Sequence, residues 1–266
     1  MRLLVFTDLD GTLLDHDSYS WAAAKPALDA LAERQVPVMI VTSKTAAEVT
    51  ALRYELGNAA PFVVENGAAI IVPGGTFPDE AETREIVRGA DREAILTALA
   101  EATQSDPLDA VGFTALGVDG IAAATGLTPA AARLANDRLA SEPLLWRDSL
   151  ERYDRLVEQL APAGLRLTRG GRFVHVMGAH DKGDAVRWLT GRFRLAWPGE
   201  QFTTVALGDG PNDLGMLGAG DTAVVIRGHH DHPMPLGGHG RVIRTRDRGP
   251  SGWNEAVLGL LRDVVG

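Results

Sequence analysis

Two aspartates one residue apart, Asp8 and Asp10 in "DLDGTLLD", stand just past the apolar run at residues 3–6. Such a run reads as a strand buried on both faces of a parallel sheet. Ending it on two carboxylates sets like charges side by side, at a cost on the order of 4 kcal/mol per pair at ~4 Å and an effective dielectric of ~20. Either the pair lies on a surface turn, or a cation belongs between them. Three more polar clusters end apolar runs in the same way: Thr42-Ser43-Lys44, Glu65-Asn66-Gly67, and Asp209, Asn212 and Asp213 in "LGDGPND". Lys182 opens a helical segment and makes a fifth candidate. Open α/β sheets bind ligands at the carboxyl ends of their strands. Asp8, Asp10 and Asp209 form a hard, all-oxygen set that suits Mg²⁺. With Lys182 and the Thr42 hydroxyl opposite, the same place attracts a phosphate dianion. Phosphoryl transfer needs mainly such positioning and charge neutralisation.

The elements that must position these residues alternate. Residues 3–7 read as a strand, 22–35 as a helix and 36–41 as a second strand. Thr45 and Glu48 form a capping box on a helix that Gly57 stops. A third strand at 62–65 runs into "NGAAIIV", which reads as a hairpin. The middle of the chain changes character. A helix capped by Asp91 spans 91–103, and Thr128 with Pro129 opens another. Asp148 with Glu151 caps a third helix, which Gly164 ends. Short β-like runs at 165–168 and 173–177 flank "RGGR". After "DKG" the first rhythm returns, with a helix at 182–192, a strand at 203–207, a short helix after Asn212 and a strand at 223–226. A closing helix starts near Trp253, whose indole is expected to pack it onto the core. The fold class is therefore α/β: a doubly wound, mostly parallel sheet core at 1–83 and 179–266, interrupted by an α+β insertion at 84–178.

Composition narrows the function. Thirty-five acids against 26 bases give a formal charge of −9, which argues against a nucleic-acid partner. The absence of cysteine excludes disulfides and thiolate metal sites. No basic lead with an apolar stretch and cleavage site precedes the first strand, and no run approaches the roughly 18 apolar residues of a membrane span. The expected location is the cytoplasm, with no membrane partner; the oligomeric state is left open. "GHHDHPMPLGGHG" at 228–240 reads as a loop by its Gly and Pro content, with a soft-metal site on its histidines the less favoured reading.

"DLDGTLLD", a threonine ending the second strand, the lysine of "DKG" and "GDGPND" resemble, in that order, the four motifs of the haloacid dehalogenase superfamily of phosphatases. The resemblance implies a Rossmann-like core with a cap. It makes Asp8 the nucleophile that forms an aspartyl-phosphate and Asp10 the general acid and base. Thr42 and Lys182 would hold the phosphate. Asp209 would complete the Mg²⁺ site with Asp8 and Asp10, supported by Asn212 and Asp213. Shorter matches, "TSKT", "VVENGAAI", "SEP" and "RGGRFVH", resemble the mannosyl-3-phosphoglycerate phosphatases of that superfamily. They imply a small phosphorylated sugar as substrate, 2-O-mannosyl-3-phosphoglycerate, cleaved to mannosylglycerate and phosphate. A glucosyl or other sugar phosphate, or phosphomutase chemistry on the same scaffold, is the alternative. Expected substrate contacts are Ser43, Lys44, Glu65, Asn66, Gly67 and Asn212 from the core, with Arg138, Ser141, Arg169, Arg172 and His175 from the insertion. Arg172, after the Gly170-Gly171 turn, is expected to grip the glycerate carboxylate through a bidentate guanidinium.

Overall fold

The structure, a computed structural model, describes residues 2–169, 173–228, 234–237 and 239–265. The first segment contains β1 (Arg2–Thr7), α1 (Lys25–Glu33), β2 (Val38–Ile40), α2 (Ala46–Glu55), β3 (Phe62–Val64), β4 (Ala69–Val72) and β5 (Arg84–Val87). Next come α3 (Arg92–Thr103), β6 (Ala110–Gly112), α4 (Phe113–Thr125), α5 (Pro129–Asn136), β7 (Ser141–Trp146), α6 (Leu150–Leu160), β8 (Leu165–Arg169) and β9 (Val174–Gly178). The chain closes with α7 (Lys182–Ala196), β10 (Phe202–Gly208), α8 (Leu214–Ala219), β11 (Thr222–Arg227), β12 (Val242–Arg248) and α9 (Gly249–Val265).

Five strands form a wholly parallel sheet in the order β12-β11-β10-β1-β2. The burial of β1 explains its unbroken apolar sequence. Leu3 and Val5 pack on one face with Ala27, Leu31 and Trp253, from α1 and α9. Leu4 and Phe6 pack on the other with Ala185, Leu189 and Met216, from α7 and α8. Trp253 is fully buried, as the sequence leads one to expect, and its indole N–H donates to Thr7 Oγ1 at 3.0 Å. Among the described residues no helix is long and apolar enough to cross a membrane.

β3, β4 and β5 form an antiparallel sheet, joined to the end of β2 by a parallel bridge between Val41 and Val63. The expected start of the insertion at residue 84 falls inside β5, which is hydrogen-bonded to β4 along its length. A second antiparallel sheet, β6-β7-β9-β8, follows. Ile95 of α3 with Leu156 and Leu160 of α6 pack against Leu144, Val174 and Val176 of this sheet.

Several elements differ from the sequence reading, each for a physical reason. β7 was not anticipated because it carries Pro143 and the buried Glu142, which break strand patterning. Glu142 is held instead by Arg92 and by the Thr114 N–H and hydroxyl. β12 is an edge strand rich in arginine, a composition that hides its period. α4 contains Gly117 at φ +60°, a break that masks its helical pattern. The N-cap of α6 is Ser149, which accepts from the Arg152 N–H, rather than Asp148. Asp148 accepts from the Asp109 and Ser149 N–H groups.

Candidate active site

The carboxyl edge of the parallel sheet gathers the polar residues. Asp8 follows β1, Thr42 lies just past β2 and Asp209 follows β10. Lys182 is the first residue of α7, fixed there by a capping box between Asp181 and Asp184. Its side chain is fully buried, and its Nζ donates to Asp8 Oδ1 at 2.6 Å and to Asp213 Oδ1 at 2.7 Å. Asp213 Oδ2 accepts from the Asp209 N–H at 3.1 Å and the Gly210 N–H at 3.0 Å, so this carboxylate is spoken for on both oxygens. Thr12, which the sequence reading left without a role, donates its hydroxyl to Asp209 Oδ1 at 2.9 Å. Gly11 makes that approach possible. It holds φ at +80°, and a Cβ there would stand 2.6 Å from Asp209 Oδ2.

Carboxylate oxygens of Asp8, Asp209 and Asp213 lie within 4.8 Å of one another. One ammonium faces three carboxylates, so the cluster carries surplus negative charge. Burial raises the Asp8 pKa well above the usual carboxylate range, and repulsion from Asp213 adds to it. Burial, then Asp213, pushes Asp209 up to about 6. For Lys182, burial works to lower the pKa, but Asp213 and Asp8 outweigh it and hold the ammonium above its ordinary value. Oxygen-only donors and a charge surplus together fit a hard divalent cation.

Asp10 does not join this group through its side chain. Its Oδ2 lies 3.1 Å from Lys44 Nζ, while its Oδ1 is buried without a hydrogen-bond partner among the described residues. Thr42 is buried and accepts the Lys44 N–H on its hydroxyl at 3.2 Å. Asn66, at φ +57°, donates its N–H to the Thr42 carbonyl, and its side-chain oxygen lies 3.4 Å from Asn212 Nδ2. Gly67, at φ +100°, packs so closely on Asp181 that a Cβ would meet the Asp181 carbonyl at 2.2 Å. The second and fourth clusters thus meet through this tight turn.

Glu65 of the core and the residues expected to touch substrate from the insertion divide. Glu65 is fully buried, and its carboxylate accepts from the Leu139 N–H at 2.7 Å, the Ala140 N–H at 3.2 Å and the Ser141 hydroxyl at 2.6 Å. Arg138 donates to Ser141 Oγ, to the Ala135 carbonyl and to the Ser43 carbonyl. Glu65, Arg138, Ser141 and the Ser43 main chain therefore satisfy one another and fasten residues 138–141 to the core. Thr45 adds a further tie, from its hydroxyl to the Leu134 carbonyl. Arg169 pairs with Val174 across the strands, on the face opposite His175, and its guanidinium stacks over Tyr153 at 4.4 Å. His175 is buried with Nδ1 unpartnered among the described residues. Burial, with the Arg138 and Lys182 charges, lowers its pKa to about 3, so the ring is neutral. Arg172, His229, His230 and His232 lie outside the described residues; His239 Nε2 is 2.7 Å from the Gly220 carbonyl.

The haloacid dehalogenase-like hydrolase family matches residues 5–115. A curated glucosyl-3-phosphoglycerate/mannosyl-3-phosphoglycerate phosphatase of Methanococcoides burtonii is 37% identical over 98% of both chains. Among solved structures, the sucrose-phosphatase of Synechocystis superposes with a TM-score of 0.65 at 16% identity, covering 97% of this chain and 98% of its own. A haloacid dehalogenase superfamily phosphatase of Bacteroides thetaiotaomicron gives 0.68 at 18% identity, covering 97% and 95%. The chain belongs to the haloacid dehalogenase-like hydrolases. Within them it is a phosphoric monoester hydrolase that resembles the glycosyl-3-phosphoglycerate phosphatases.

The bonding around Glu65 yields a stability test. Glu65→Gln keeps the shape but turns an amide toward backbone donors. It should lower the free energy of urea unfolding by about 1.5–3 kcal/mol, the worth of a charge-assisted hydrogen bond. Ser141→Ala, which leaves the two backbone donors in place, should cost about 1 kcal/mol. An unchanged unfolding midpoint in Glu65→Gln would contradict this bonding.

Proposed function

We propose that the protein hydrolyses the phosphate ester of a 2-O-glycosyl-3-phosphoglycerate, giving the glycosylglycerate and inorganic phosphate by way of an aspartyl-phosphate on Asp8. The observation that carries this reading is the buried ammonium of Lys182 between Asp8 and Asp213, which presents one carboxylate oxygen of Asp8 beside a site of surplus negative charge. The substrate class rests on the Methanococcoides burtonii relative, whose name covers both the glucosyl and the mannosyl ester. The insertion acts as a cap over the sheet edge, fastened by the contacts of Glu65 and Arg138.

In this mechanism Asp8 Oδ2 attacks phosphorus in line with the glycerate oxygen, and the P–O bond to that oxygen breaks. The Lys182 ammonium opposes the rise in the Asp8 pKa, favouring the ionised nucleophile, and balances charge on the phosphoryl oxygens. Asp10 gives its proton to the departing alkoxide, and then accepts one from the water that attacks the aspartyl-phosphate at phosphorus. Phosphate leaves and the Asp8 carboxylate is restored. The Thr42 hydroxyl supplies a hydrogen-bond donor to the phosphoryl group. Asp8, Asp209 and the main chain of Asp10 would hold Mg²⁺, which would supply further charge neutralisation when bound. Asp213 serves as the anchor that orients Lys182 and the Asp209 turn.

Two outcomes follow. Asp8→Asn should remain folded by circular dichroism and lower kcat at least about a hundredfold, or ~2.7 kcal/mol of barrier. Retention of more than about a tenth of the activity would place the nucleophile elsewhere. EDTA should abolish phosphate release and Mg²⁺ should restore it. Ca²⁺ should not, since it prefers longer bonds and more ligands. Undiminished turnover by metal-free protein would contradict the cation's part.

A further inference from the structure

Lys44 reaches the same edge of the sheet beside Asp10. Its Nζ is 3.1 Å from Asp10 Oδ2 and 5.2 Å from the centre of the Tyr19 ring. Tyr19 holds φ at +56°, an unusual conformation for a bulky residue. A closed turn presents it: Asp15 donates its N–H to the Ser20 carbonyl and accepts the Tyr19 N–H on its own carbonyl. The Lys44 ammonium has three N–H donors. One of these meets the Asp10 carboxylate.

The chemistry of the proposed substrate fixes how far away its carboxylate can be. This step rests on that substrate reading. In a 3-phosphoglycerate, three bonds join the leaving oxygen to the carboxylate carbon, a span of at most about 4 Å. The general acid stands about 2.6–3.2 Å from the same leaving oxygen. A carboxylate on so short a tether is therefore read beside Asp10, not deep in the cap. The other described cations near the cleft are committed. Lys182 serves Asp8 and Asp213. All three donor nitrogens of Arg138 are used within the protein, and Arg169 lies on the far face of its sheet.

We propose that Lys44 is a specificity-determining residue that binds the C1 carboxylate of the glycerate, with the Tyr19 ring steadying the ammonium. In the free enzyme Asp10 occupies the place of that carboxylate. The entering substrate takes over the ammonium and leaves Asp10 to its proton transfer. Hexose phosphates, which have no such anion, would leave Lys44 on Asp10.

The test uses the Mg²⁺-loaded full chain and two substrates, a 2-O-glycosyl-3-phosphoglycerate and its analogue with a hydroxymethyl group in place of the carboxylate. The quantity read is the ratio of their kcat/KM values, which cancels any general effect of Lys44 on Asp10. Lys44→Met should lower the ratio by about 10- to 150-fold, the range for a charge-assisted hydrogen bond. Lys44→Arg should retain most of it. Equal loss on both substrates, or a ratio that collapses in Arg172→Met and not in Lys44→Met, would overturn the proposal. If the wild-type ratio is itself near one, the glycerate reading fails at its root. A wild-type preference that survives Lys44→Met sinks only the role of Lys44.

Discussion

One buried ammonium, shared by two carboxylates, sets the terms for the rest of the site. Lys182 has no solvent to stabilise its charge, so Asp8 and Asp213 must supply it, and they in turn depend on Lys182. Two strand ends and a helix start have to converge for this to happen. The parallel sheet meets that demand, because β1 and β10 are neighbours and α7 opens beside them. Asp213 then transmits the constraint. Its second oxygen closes the turn at Asp209 and Gly210, which aims Asp209 toward Gly11 and Thr12.

Two buried carboxylate systems lie close together and are solved differently. Glu65 finds two backbone N–H groups and a hydroxyl, with Arg138 at 3.6 Å, so the protein completes its shell. The cluster of Asp8, Asp209 and Asp213 has one ammonium for three charges. The first arrangement is an anchor and the second asks for a ligand. That contrast also separates roles among the residues after β3. Glu65 holds the insertion, while Asn66 and Gly67 tie the same turn to Thr42, Asn212 and the start of α7.

Much of the core was legible because its signals are local. An apolar run ending in Asp, a capping box at Thr45 and Glu48, and a Thr-Pro helix start each lie within a few residues of sequence. The roles of Glu65, Arg138 and Ser141 were not legible, since their partners are up to 95 residues apart. Polar residues near a phosphate motif read as substrate contacts until their hydrogen bonds are seen to close on one another. The placing of Arg169 was hidden for a simpler reason: its face of β8 depends on the pairing register with β9, which loop composition does not reveal. Neighbouring caps are equally ambiguous. Asp148 and Ser149 both suit the start of α6, and the Asp109 N–H draws Asp148 away.

The central claim, a covalent phosphoryl group on Asp8, is open to direct capture. An acyl phosphate is reduced by borohydride to the primary alcohol, with release of phosphate, whereas a free carboxylate is not. Protein quenched in acid during turnover, reduced and digested should yield a peptide with homoserine at position 8, in an amount that rises and falls with substrate. Reduction at another aspartate, or an unmodified residue 8 under conditions of full turnover, would contradict the assignment of Asp8 as nucleophile.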